Sequence, residues 1–230
     1  MPYFNRASSS NALHANAGHV IVIDDDEAIR RSLFNLLSRE GYVVCLHANA
    51  EEFLAAHPFP MPSVLLCDMR MPGRTGVELQ TTLRERGYTM PVVFVSGDSR
   101  PEEIITAMKH GAVDFLLKPF SAHALTDAIG KAMQLAQKII VESDRQTEVE
   151  QRLRRLTPRE MAVCYWMARG YSNQQISQMD GAAAATIKLH RARVMDKMQA
   201  VSLPELIAML SGIDLPQPPR SKTDEQPVQG

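Results

Sequence analysis

Five short apolar runs rich in β-branched residues recur between stretches of helical period: HVIVI (19–23), YVVCLH (42–47), SVLLC (63–67), PVVFV (91–95) and VDFLL (113–117). This alternation narrows the fold more than any other feature of the chain. Neighbouring parallel strands cannot be joined by a tight turn and need a crossover, and a strand covered on both faces is apolar almost throughout rather than at every second residue. The expected fold class is therefore α/β: a (βα)5 doubly wound parallel sheet over residues 19–138.

At 230 residues the chain has room for two cores, since domains commonly hold about 100 to 150 residues. The net charge of -1 conceals an asymmetry: residues 19–150 carry 13 Lys and Arg against 19 Asp and Glu, whereas residues 151–210 carry 9 against 4. A basic second domain suits a partner of negative charge. The expected organisation is a flexible arm (1–18), the sheet domain (19–138), a helical linker (139–152), a small all-α four-helix domain (153–211) and a Pro-rich disordered tail (212–230). Cys45, Cys67 and Cys164 are odd in number and lie in apolar runs, which suits a reducing compartment. No apolar stretch reaches the length of a membrane span, and the first residues lack a signal-peptide core, so the expectation is a cytoplasmic protein with no membrane partner.

In an open parallel sheet, ligands bind beyond the C-terminal ends of the strands. The first strand ends in Asp24 and Asp25, the third in Asp68, the fourth in Ser96 and the fifth in Lys118. Taken alone, DDDE before a helix is a charged helix start, and Lys-Pro after a strand is a turn. The ordered set, with each group at the end of its own strand, points instead to a site. Crowded carboxylates repel one another unless a hard cation sits among them, and Mg²⁺ prefers oxygen ligands from carboxylates, water and phosphate. Asp26 falls where the first helix begins and is expected to cap it. Thr75 and Glu78 form a capping-box pair opening the third helix.

In the second half, Thr157, Pro158 and Glu160 open a helix that Gly170 ends; Ser172 with Gln175 opens the next; Asp180-Gly181 makes a turn. A short helix, a turn and a longer Lys- and Arg-bearing helix is the helix-turn-helix arrangement. Ser202 and Glu205 open a further helix. In GAAAAT (181–186) no Ser, Thr or Asp caps the recognition helix, at a loss of about 1 kcal/mol. A helical wheel over 184–198 puts Ile187, His190, Val194 and Met198 against the core and Ala185, Lys188, Leu189 and Ala192 opposite, with Arg191 and Arg193 on the flanks. Lys188 is the expected polar base contact, Ala185, Leu189 and Ala192 are expected against thymine methyls, and Arg191 and Arg193 on phosphates; Thr186 completes the candidate set. Tyr165, Trp166 and Met167 are expected in the core rather than as a stacking platform for bases, and His190 as a partly buried structural residue.

Residues 19–138 resemble the receiver domain of two-component response regulators in IDDDE, CDMRMPG, VSG and DFLLKPF; residues 153–211 resemble the LuxR-type DNA-binding domain. The whole chain resembles the NarL/FixJ family, closest in DMRMPG and SLPEL to its FixJ branch. The resemblance implies a transcription regulator, not an enzyme, in which Asp68 accepts a phosphoryl group from a sensor histidine kinase. It implies that Asp25, Asp68 and the main-chain carbonyl of Arg70 bind Mg²⁺ directly, with Asp24 acting through water, and that Ser96 and Lys118 hold phosphoryl oxygens. It also implies a cis Lys118-Pro119 bond and a homodimer, formed on phosphorylation around the fourth helix and fifth strand, on double-stranded promoter DNA. RNA polymerase is a further candidate partner. Phe115 stands at the aromatic switch position, where Tyr is frequent; its ring can swing inward but has no hydroxyl to bond.

Two other functions fit parts of the pattern. A regulator that binds DNA without using phosphorylation would keep the first domain only for dimerisation. Asp24-x-Asp26 after a strand also fits a haloacid-dehalogenase-like phosphatase, but Glu27-Ala28 replaces that family's Gly-Thr and Asp68 is left without a role.

Overall fold

A computed structural model describes residues 18–218 apart from His57 and Ser99. The expected arm and the end of the expected tail lie outside the described residues, Gly18 excepted. The first part alternates β1 (His19–Ile23), α1 (Glu27–Arg39), β2 (Val43–His47), α2 (Ala50–Ala55), β3 (Ser63–Asp68), α3 (Gly76–Glu85), β4 (Val92–Ser96), α4 (Pro101–Lys109), β5 (Asp114–Leu117) and α5 (Ala122–Leu153). The five strands form one parallel sheet, as the alternation requires, and their order is β2-β1-β3-β4-β5.

Side chains alternate across a strand, so one run feeds two cores. Val20 and Val22 of β1 pack with Leu33 and Leu37 of α1 and Leu125, Ile129 and Met133 of α5. Ile21 and Ile23 pack on the other face with Phe53 of α2, Leu79 and Leu83 of α3 and Ala107 of α4. The helix starts are set by side chains. Asp26 accepts from the amides of Ala28 and Ile29, and Thr75 and Glu78 form the reciprocal capping box. Lys118-Pro119 is cis, as is Met61-Pro62.

The chain divides into two compact units between Glu142 and Ser143, inside α5. The second unit contains α6 (Pro158–Ala168), α7 (Asn173–Asp180), α8 (Ala184–Met198) and α9 (Leu203–Met209). Capping boxes at Thr157/Glu160 and Ser172/Gln175 open α6 and α7, and Gly181, in the left-handed region, closes α7. Val163, Cys164, Met167, Ile176, Ile187, Val194, Met198 and Leu206 form its core. Tyr165 and Met167 are buried and Trp166 packs against this core, as expected.

Both expected boundaries of this unit shift outward. Val149, in the stretch expected to be linker, and Leu153, the first residue of the expected domain, are both buried in its core, because an apolar pair four residues apart faces one way on a helix. Past residue 211, Ile213 packs on the core and Leu215 is buried, so the packed chain runs into the expected tail. Among the described residues no helix is long and apolar enough to cross a membrane.

Candidate metal centre and nucleic-acid interface

The register of the sheet brings the acidic residues together. Ile23 lies beside Cys67 in the β1–β3 pair, so Asp24 and Asp68, one residue further along, end side by side; Ser96 of β4 pairs with Leu117, the residue before Lys118. Oxygen atoms of Asp24, Asp25 and Asp68 all lie within 4.8 Å of one another. Asp24 is 1% exposed and Asp68 is buried, while Asp25 faces solvent. The Lys118 Nζ reaches across from β5 to Asp24 Oδ2 at 2.7 Å and Asp68 Oδ2 at 2.6 Å. The Lys118 amide donates to Ser96 O at 2.8 Å, tying the ends of β4 and β5.

Burial raises the carboxyl of Asp24 above its ordinary range, against the opposing hydrogen bond from Lys118. Burial alone would pull the Lys118 ammonium down, but its bonds to Asp24 and Asp68 outweigh this and hold it above its ordinary value. The arrangement is therefore a partly buried lysine held by two buried carboxylates, with a third carboxylate open to water. Such a set of hard oxygen donors fits a small divalent cation better than a soft one.

The main chain around these groups is fixed by contacts with no sequence signature. Arg30 Nη1 donates to Asp24 O at 2.6 Å, and the Asp26 amide to Asp24 Oδ1 at 2.9 Å. The Arg70 amide donates to Asp68 Oδ1 at 2.9 Å. The side chain of Arg70 turns outward to Asp98 and Glu103, both at 3.3 Å and both partly or largely in solvent. Gly76, at the start of α3, lies so close to β3 that a Cβ there would stand 2.5 Å from Asp68 O and 2.9 Å from the Phe94 ring. Phe115 is half-buried on the α4 side of the sheet.

In the second unit, α8 buries Ile187, Val194 and Met198, and His190 is half-buried with a buried Nδ1 that has no hydrogen-bond partner among the described residues. Ala185, Lys188, Leu189, Ala192 and Arg193 are exposed, as the wheel anticipates, and so is Thr186. Arg191 is the exception to that expectation. It is half-buried, donates to Tyr171 O at 3.0 Å, and burial lowers its guanidinium from the ordinary value. The reason is angular: four residues from Ile187 is about 40° round the helix, inside the buried arc rather than on its flank. Arg191 braces the turn before α7 through this bond. Ala183 precedes α8 without any side-chain cap, as GAAAAT implies.

Comparison with known proteins matches these two units separately. Residues 20–130 match the family described as "Response regulator receiver domain", and residues 154–210 the family described as "Bacterial regulatory proteins, luxR family". The chain is 36% identical over 190 residues to the transcriptional regulatory protein FixJ of Rhizobium meliloti, covering 83% of this chain and 93% of that protein. It is 35% identical over 206 residues to the tetrathionate response regulatory protein TtrR of Salmonella typhimurium, covering 90% and 98%. Among solved structures it resembles the response regulator StyR, at 37% identity and a TM-score of 0.72 over 84% of this chain and 98% of that one. Full-length FixJ from B. japonicum gives 37% identity and a TM-score of 0.53, covering 84% and 96%.

Proposed function

The chain belongs to the response regulators that join a receiver domain to a LuxR-type DNA-binding domain, with FixJ among its relatives, and we propose that Asp68 is the residue through which phosphorylation controls it. Regulation of transcription under phosphorylation control follows from membership. The residues that carry it are our assignment, supported chiefly by one observation: Lys118 Nζ lies 2.6 Å from Asp68 inside a cluster of three carboxylates.

In this reading a carboxylate oxygen of Asp68 attacks the phosphorus of a phosphohistidine on a sensor kinase. The N–P bond breaks, its electron pair returns to the imidazole, and an acyl phosphate forms on Asp68. Asp25, Asp68 and the carbonyl of Arg70 would hold Mg²⁺, with Asp24 acting through water; the ion, when bound, offsets the negative charge of the phosphoryl oxygens. Lys118, already placed on Asp68, follows the new phosphoryl oxygens, and the Ser96 hydroxyl donates to one of them. Phe115 would move inward behind Ser96. The protein acts by changing state rather than by turning over a substrate.

The exposed apolar side chains Ile105, Met108 and Leu117, on α4 and β5, support a homodimer through that face. Two copies of α8 would then read paired half-sites on promoter DNA, about one helical turn apart. The setting is the cytoplasm, with RNA polymerase as a further partner.

Intact-mass analysis with acetyl phosphate tests the assignment. One phosphate should be added only when Mg²⁺ is present, and Asp68→Asn should take up none. An adduct that persists in Asp68→Asn would overturn it.

A further inference from the structure

Two arginines from the last turns of α5 donate to main-chain carbonyls near the ends of two other helices of the second unit. Arg152 Nη1 lies 2.9 Å from Met198 O, and Arg145 Nη2 lies 3.1 Å from Ala208 O. Both arginines precede residues 154–210, the part that matches the LuxR-type family. Met198 is the last residue of α8.

The final carbonyls of a helix have no donor within it. At the end of α8 the Gln199 amide serves Asp196 O and the Ala200 amide serves Met195 O, while Met198 O is met by Arg152. A guanidinium there also lies at the negative end of the helix dipole. Arg152 is itself held in place. Its side chain is 15% exposed, its second Nη donates to Glu148 Oε1 at 2.6 Å, and its neighbours Val149 and Leu153 share a core with Ile187, Val194 and Met198. A cation held this firmly fixes the end of the helix it caps.

We propose that Arg152 is a positioning residue for DNA recognition: it sets where the C-terminal end of α8 lies and so aims Lys188 and Leu189. The inference rests on the reading of α8 as the DNA-contacting helix. Arg152 itself need not touch DNA. Its effect travels along α8, because a rigid helix that is free to tilt at one end misplaces side chains further along, and hydrogen bonds to base edges weaken steeply with distance and angle.

The test uses the full chain and a duplex selected from a random pool by the wild type, with a scrambled duplex as reference. Affinities are measured at a temperature where Trp166 fluorescence reports a folded second unit. Arg152→Met should weaken the selected duplex by roughly threefold to tenfold while scarcely changing the scrambled one. Arg152→Lys, which keeps a cation within reach of Met198 O, should restore most of the loss, and Glu148→Gln should show a smaller one. If Arg152→Met does not fold, the Lys and Gln variants carry the comparison. An unchanged selected-to-scrambled ratio with only a lowered unfolding midpoint would overturn the proposal, leaving Arg152 a purely stabilising residue. Equal weakening of both duplexes would also overturn it, since that is the mark of a phosphate contact. If the wild type selects no duplex at all, the DNA reading of α8 fails first and takes this inference with it.

Discussion

Replacing Lys197 by Met should weaken the second unit in a way that one chromophore can follow. Lys197 Nζ donates to Glu160 Oε2 at 2.6 Å and to Arg155 O at 3.2 Å, and the same Glu160 oxygen accepts the Thr157 amide at 2.9 Å. The Glu160 side chain is 4% exposed and that of Lys197 32%, so the carboxylate is buried while the lysine side chain is partly open to water. Removing one partner from a fully buried pair costs about 3 to 5 kcal/mol. Here the capping amide remains and water reaches the cation, so the loss should be nearer that of one charge-assisted hydrogen bond, about 2 kcal/mol. With a urea slope of about 1 kcal/mol per molar for a unit this small, the midpoint should fall by about 2 M.

The chain has one tryptophan, Trp166, which lies edge-on to Tyr165 and Tyr171 within this unit, so its fluorescence reports unfolding of this unit and not of the receiver. The pH dependence gives a second handle. Lys197's hydrogen bond, and after it Thr157's amide, pull the Glu160 carboxyl from 4.5 down to about 2. A depressed carboxyl contributes stability that is complete above its unfolded value and is lost as pH falls through its folded value. The gap between wild type and Lys197→Met should therefore be constant near neutrality and narrow below pH 4.5 towards 2. Adding Glu160→Gln to Lys197→Met should recover part of the loss, because no charge is then left buried alone. Coincident urea curves for wild type and Lys197→Met, or a gap that closes between pH 7 and pH 5, would refute this account.

Two further outcomes follow from α8. Ala183 already has the extended backbone of a cap, at φ -59 and ψ 144, so Ala183→Ser should raise the urea midpoint read by Trp166, in line with about 1 kcal/mol for a restored cap. No change would mean that the first turn of α8 is satisfied in another way. On selected duplexes, Lys188→Ala should relax base preference at particular positions, whereas Arg193→Ala should weaken all sequences alike and lower the salt slope by about one unit. The reverse pattern would mean that α8 presents a different face to DNA.

The sheet was legible because each strand is a separate apolar run, and the acidic rim because parallel strands deliver their last residues to one edge. The exposed face of α8 was legible from Ile187, Val194 and Met198 at helical spacing. Arg191 was misplaced because a charge near the edge of an apolar arc is usually assigned to solvent, and nothing in the sequence announces a carbonyl at Tyr171. The contacts of Arg152 with Met198 and of Lys197 with Glu160 span 46 and 37 residues and repeat no period. Glu160 was recognised as a capping residue while its cation was not. Leu215 was hidden for a similar reason: a single leucine between prolines and polar residues has no pattern to mark it as core.

Gly76 gives the acidic site walls of unequal stiffness. On the α3 side, the missing Cβ lets the start of the helix rest directly against Asp68 O and the edge of the Phe94 ring, with no gap between them to close. On the α4 side, the span from Arg70 to Asp98 and Glu103 is made by ion pairs open to water, which resist displacement weakly. A load applied at Asp68, whether added charge or added bulk, meets a hard stop in one direction and a soft spring in the other. Deformation should therefore be expressed almost wholly towards β4, α4 and β5, and the direction of the response is set by where the protein cannot yield.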